Sequence, residues 1–198
     1  MVAGGELLDR ARAWVAESHP HAYHLERTRD WLLVLEPDAG EALQLAAVLH
    51  DIERAVPEQE PRSQPVWPAT DYNDWHQDRA MRVAASWLGE QGADPVLLAE
   101  TCALIRVHED GGWPDADVVQ AADSLSFLEV QVEMFLARVR SGVIGAGEAE
   151  TKFRWMYERI RILRARELSE PMLQDALAQL AVVREAETGA EGLSGPAG

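Results

Sequence analysis

The side chains best suited to chemistry in this chain are its histidines and a few aspartates. Six histidines occur in 198 residues. His19 and His21 flank Pro20 in a break, whereas His24, His50, His76 and His108 fall at or near segments of helical periodicity. His50 is followed directly by Asp51, after the apolar run Ala46-Ala47-Val48-Leu49. A carboxylate buried there is costly unless it is paired or binds a metal. Adjacent helical residues lie roughly 100° apart around the axis. His50 and Asp51 can therefore reach one site from the same turn, or two neighbouring ions with the carboxylate as a bridge. Imidazole and carboxylate ligands suit Mn, Fe, Co, Ni or Zn. Two such ions about 3.5–4 Å apart activate a bound water near neutral pH. No serine or cysteine nucleophile presents itself.

Each residue also has a plainer reading. His24 could cap or pack a helix. His50 and Asp51 could be a hydrogen-bonded pair. His76 follows Asp74 and could open a helix, and His108 precedes Glu109 and Asp110 and could close one. Asp123 could pair with an arginine.

The order and context of these residues resemble the HD superfamily of metal-dependent phosphohydrolases. His24-Leu25-Glu26-Arg27 resembles the opening motif, with arginine three residues after histidine. Ala46-Ala47-Val48-Leu49-His50-Asp51-Ile52 resembles the central motif, and Ala121-Ala122-Asp123-Ser124-Leu125 the closing one. His76, in His76-x-x-x-Ala80, and His108, after Ile105-Arg106-Val107, resemble a fuller histidine set found in part of the family. The resemblance covers about residues 20–130. It implies a compact all-α helical bundle and one or two divalent transition metals. His24, His50, Asp51 and Asp123 would surround one ion, and Asp51, His76 and His108 the other, with Asp51 shared. The implied reaction is hydrolysis of a small phosphorylated metabolite or nucleotide by a metal-activated hydroxide. Relatives with the fuller histidine set also include diiron oxygenases acting on small polyols or phosphonates, so that chemistry stays open. So does a non-catalytic, metal-stabilised binding domain.

Substrate contacts are expected from several places. Residues 152–166 carry six basic side chains against Glu158, and Lys152, Arg159 and Arg166 recur every seventh position. On one helix they would share an edge, and arginine forks match phosphate oxygens. A solvated face paired with acidic neighbours is the plainer alternative; Lys152 and Arg159 are the functional candidates. Arg27 and Arg79 lie one turn from presumed ligands, as does Glu53, a candidate to orient one of them. The segment from Pro57 to Thr70 holds four of the ten prolines and Trp67, with Tyr72 and Trp75 just beyond it. Its rings could cover the metal mouth and stack a base, or simply pack the loop down.

The elements that must position these groups read as helices throughout. An i, i+3/i+4 stripe runs through Leu7, Leu8, Ala11, Trp14 and Val15. Further helices are expected over about 24–35, 39–53, 74–91, 95–107, 116–140, a segment through Phe153, Met156, Ile160 and Leu163, and 170–187. One domain is expected over 1–187, with 188–198 as a disordered tail. The chain has 47% hydrophobic residues, enough for a core. With 34 acidic against 18 basic residues it carries −16, which disfavours broad binding to nucleic acid or anionic membranes. Its one cysteine, Cys102, reads as a small buried hydrophobe and excludes an intrachain disulfide. No membrane span or signal pattern is seen, so a cytoplasmic setting is expected. A homodimer is left open.

Overall fold

The computed structural model describes residues 5–57 and 70–192. Among these residues there are nine α-helices and no strand. The helices are α1 (Glu6–Ser18), α2 (Ala22–Leu35), α3 (Glu41–Leu49), α4 (Thr70–Glu90), α5 (Pro95–Ile105), α6 (Pro114–Val130), α7 (Val132–Arg140), α8 (Ala146–Glu158) and α9 (Leu163–Gly192). A short 3-10 turn, Ile52–Ala55, follows α3. The expected all-α class is observed. No helix among the described residues is long and apolar enough to cross a membrane. Trp67 and most of the proline-rich segment lie outside the described residues, as do residues 193–198.

Helix α6 is the spine. Pro114 occupies its first turn with Asp115 and Asp117, residues suited to a helix N-terminus. Nearly every residue from Ala116 to Leu128 is buried, including Gln120, Asp123, Ser124 and Ser126. Small residues at Ala121, Ala122 and Ser126 let neighbours approach closely. Helix α2 lies along it, and α3, α5, α7, α8 and α9 also touch it. One apolar cluster joins α1–α5 to the start of α6, and a second joins the end of α6 to α7, α8 and α9.

Three expectations about element boundaries are corrected. Helix α3 ends at Leu49, so His50 and Asp51 stand at its C-terminal edge rather than inside it. His50 keeps helical angles, but Asp51 turns to φ −107°, ψ 13°. The single helix expected over 116–140 is two, broken at Gln131 (φ −107°, ψ −11°), where neither glycine nor proline signals a stop. The helix expected through Phe153 and Leu163 stops at Glu158, and a new one starts at Leu163. Lys152, Arg159 and Arg166 therefore do not share one helical edge. Arg166 instead donates to the carbonyls of Glu158 and Ile160, satisfying acceptors at the end of α8.

The link from α5 to α6 depends on two glycines with positive φ, Gly111 at 66° and Gly112 at 130°. The Gly112 N–H donates to Asp117 Oδ1 over 2.8 Å, and Arg161 binds the same oxygen. A Cβ on Gly111 would run into both the Asp117 carboxylate and the Arg161 guanidinium. Gly111→Ala is expected to lose about 1–2 kcal/mol from the left-handed backbone alone, and more from that clash. Urea unfolding checks this; an unchanged midpoint would refute it.

Candidate metal centre

Five segments deliver the site. His24 lies in the first turn of α2, His50 and Asp51 at the end of α3, His76 on α4, His108 just past α5, and Asp123 in the middle of α6. All six are buried. They form two groups able to hold a metal ion: His24, His50 and Asp123, and Asp51, His76 and His108. The Asp123 Oδ1 atom is 3.1 Å from His24 Nε2 and 3.4 Å from His50 Nε2. The Asp51 Oδ1 atom is 2.9 Å from His76 Nε2 and 3.8 Å from the Nε2 atoms of both His108 and His50.

Hydrogen bonds on the far side of each ring decide which nitrogen faces inward. His50 Nδ1 donates to the Ala47 carbonyl at 2.9 Å, and His108 Nδ1 to the Ile105 carbonyl at 2.8 Å. His76 Nδ1 donates to Glu53 Oε1 at 2.7 Å. The Ser126 hydroxyl spends its proton on the His24 carbonyl, so its oxygen accepts from His24 Nδ1 at 2.8 Å. With every Nδ1 a donor, each neutral ring presents an Nε2 lone pair to the centre. Metal-bound histidines are commonly held this way. The His50 Nε2 atom is buried with no hydrogen-bond partner, and the Nε2 atoms of His76 and His108 are 3.2 Å apart. Lone pairs converging so closely are satisfied by a proton shared between the rings or by a metal ion in its place. The donor set and its orientation therefore fit a metal ion.

Electrostatics point the same way. Asp51, Glu53, Glu109 and Asp123 are all buried around the rings. Burial works against a charged His76, yet the carboxylates of Glu53 and Asp51 raise it to about 9. His50 is also raised, because Asp51 and Asp123 outweigh its burial. His24 is lowered by burial, and His108 well lowered by burial and by the charges of His76 and His50. Burial opposes ionisation of both aspartates. For Asp51, Arg54 and the histidines overcome it; for Asp123, His50 and His24 do, and both carboxyls fall well below the usual range. The buried carboxylates thus favour positive charge at His76 and His50.

Each aspartate is divided between histidines and an arginine. Asp51 Oδ2 meets Arg54 Nη1 at 3.2 Å. Asp123 Oδ2 pairs with Arg159, which also holds Glu109, receives Ser124 Oγ as an acceptor at 2.8 Å and lies over the Trp155 ring. Sequence reasoning proposed Arg159 for substrate; the structure joins it to a presumed ligand. It missed Arg54 and Glu109, although Arg54 follows Asp51 by three residues. It left His19 unassigned. The His21 N–H donates to His19 Nδ1, so His19 Nε2 donates to the Asp51 carbonyl at 3.0 Å and steadies that turn.

The site opens onto a cavity of about 720 Å³. Tyr72, Trp75, Arg54 and Lys152 line it beside Asp51 and Asp123, and His21 lines it without joining either triad. Tyr72 stacks on His76 with centroids 5.9 Å apart. Lys152 is buried beside the rings of Trp155 and Phe127, and burial pushes its amine down to about 7. Two expected contacts lie elsewhere. Arg27 is clamped by Glu129 and Asp30, and Arg79 donates to the carbonyls of Val56 and Pro57.

Two outcomes are expected. Glu53→Gln removes the charge behind His76 and should weaken metal affinity about 10–100-fold with helix content kept; unchanged affinity would remove Glu53 from the site. Metal binding at His76 must also displace its proton. Because His76 is raised to about 9, affinity should climb about tenfold per pH unit from near neutrality and level off above about 9. Competition with a chelating dye across pH reads this, and a flat profile would contradict it.

Comparison of the chain with protein-family models, with curated proteins and with solved structures finds no match.

Proposed function

We propose that this chain is a metal-dependent phosphohydrolase acting on a small phosphorylated molecule. His24, His50 and Asp123 would hold one divalent ion and Asp51, His76 and His108 a second, with Asp51 shared. The observation that carries the reading is a pair of buried His/Asp triads opening onto a cavity that also presents Arg54 and Lys152. The HD-type resemblance of the motifs supports it, and so does the position of Asp51 Oδ1 within 3.8 Å of histidines from both triads.

When bound, ions of the Mn, Fe, Co, Ni or Zn type supply a water activated near neutral pH and neutralise charge on the phosphoryl oxygens. The chain's own residues do the rest. Arg54 turns one side of its guanidinium to Asp51 and lines the cavity, where its remaining donors can grip a phosphoryl oxygen. Lys152, lowered to about 7, can hold a proton near neutrality and pass it to the leaving oxygen. Tyr72 and Trp75 wall the mouth on the α4 side and limit water. Arg159 fixes Asp123 so that Oδ1 faces His24 and His50.

The test is elemental analysis of protein purified anaerobically without chelators, alongside phosphate release from p-nitrophenyl phosphate. Close to two ions per chain are expected, with both ions and phosphate release lost in Asp51→Ala. Lys152→Met should keep its metal and lose about 100-fold in kcat/KM. Protein that takes up neither Mn nor Fe would sink the metal centre. Turnover that consumes O₂ without releasing phosphate would assign the same centre to oxidation.

A further inference from the structure

The cavity is larger than hydrolysis of a phosphate group requires. At about 720 Å³ it falls in the range of about 300–1,000 Å³ that accommodates a drug-sized organic ligand. Its metal end is built by α2, the turn after α3, and α6. Its far end is built by different elements: Gln131 at the break between α6 and α7, Phe135 and Arg138 on α7, Ile144 in the following turn, and Glu148 in the first turn of α8. None of these residues belongs to the metal motifs.

The far end has two chemical characters. Phe135 and Ile144 are buried apolar side chains, continued toward the metals by Phe127 and Met156. An extended apolar group fits against them, and removal of its surface from water favours binding. Three polar side chains interrupt this wall. Gln131 is 7% exposed, and its Nε2 is buried without a hydrogen-bond partner. A buried donor left unsatisfied is costly; an acceptor on a ligand would relieve it after a small rotation of the carboxamide. Arg138 adds further donors, and Glu148 can accept.

We propose that this end of the cavity is a recognition subsite for the organic part of a phosphate ester, specifically an apolar body ending in a group that both accepts and donates hydrogen bonds. Gln131 is its specificity-determining residue, with Glu148 as the complementary acceptor. The proposal rests on the phosphohydrolase reading for the identity of the anchored end. The division of labour is structural: residues between His24 and Asp123 hold the metals, and residues after position 130 select the substrate.

Metal-loaded wild type, Gln131→Leu and Glu148→Gln are compared on methyl phosphate, n-hexyl phosphate and 6-hydroxyhexyl phosphate. Binding of the matching non-hydrolysable phosphonates is followed in parallel by tryptophan fluorescence. In wild type, kcat/KM and phosphonate affinity should rise from methyl to hexyl, and about tenfold again with the terminal hydroxyl. Gln131→Leu should erase the hydroxyl increment and leave methyl phosphate unchanged, and Glu148→Gln should reduce that increment. Equal rates across the series, or a uniform loss in Gln131→Leu, would overturn the subsite while leaving the hydrolase reading intact. Graded phosphonate binding with no phosphate release would keep the subsite and overturn the hydrolase reading. No binding of any phosphonate would overturn both. Metal content and helix content of each variant show whether it has folded.

Discussion

The interaction on which the rest of the structure depends is the convergence of four imidazole Nε2 atoms and two aspartates, all buried, at the end of the cavity. Nothing in a helical bundle's packing favours such a cluster. Its acceptors repel one another, and burial removes the water that would solvate them. The fold answers this with directed hydrogen bonds. Every imidazole is anchored at Nδ1 by a backbone carbonyl, a serine hydroxyl or Glu53. Every aspartate is anchored at Oδ2 by an arginine. What remains directed inward is a set of lone pairs suited to a cation.

These anchors explain features of the helices that packing alone does not. Ser126 has no apolar surface to contribute, yet it sits fully buried one turn past Asp123, because it fixes the His24 ring and ties α6 to α2. The stop of α3 at Leu49 gives Asp51 a non-helical turn, and His19 holds that turn through its carbonyl. The break between α8 and α9 turns Arg159 inward to Asp123 and Glu109 and leaves Arg161 and Arg166 to bind Asp117 and the end of α8. A run of like charges that reads as one surface is thereby divided among the candidate metal site, a loop and a cap.

The two apolar clusters have a matching division. One surrounds the elements that carry the presumed ligands, and the other lies under α7, α8 and the middle of α9. The cavity runs between them, with α6 as the shared wall.

The sequence by itself determined the helical class and named all six residues of the two triads. The helical class is a local property marked by apolar spacing, and a histidine followed by an aspartate after an apolar run is legible without any partner, whereas His24, His76, His108 and Asp123 were named through the resemblance of their motifs to the HD superfamily. It also pointed to Glu53, Tyr72 and Lys152 as neighbours of the centre. The tertiary structure decided what depends on distant contacts. Residues 102 apart join His24 to Ser126, and residues 36 apart join Arg159 to Asp123. The helix ends at Leu49, Val130 and Glu158 carry no glycine or proline signal, since side-chain anchors and packing set them. The pairing of Arg27 with Glu129 took it away from the centre, and the turn of α8 brought Arg159 to it. Charge type and spacing show which groups can bind one another; which of them do depends on the partners that folding brings within reach.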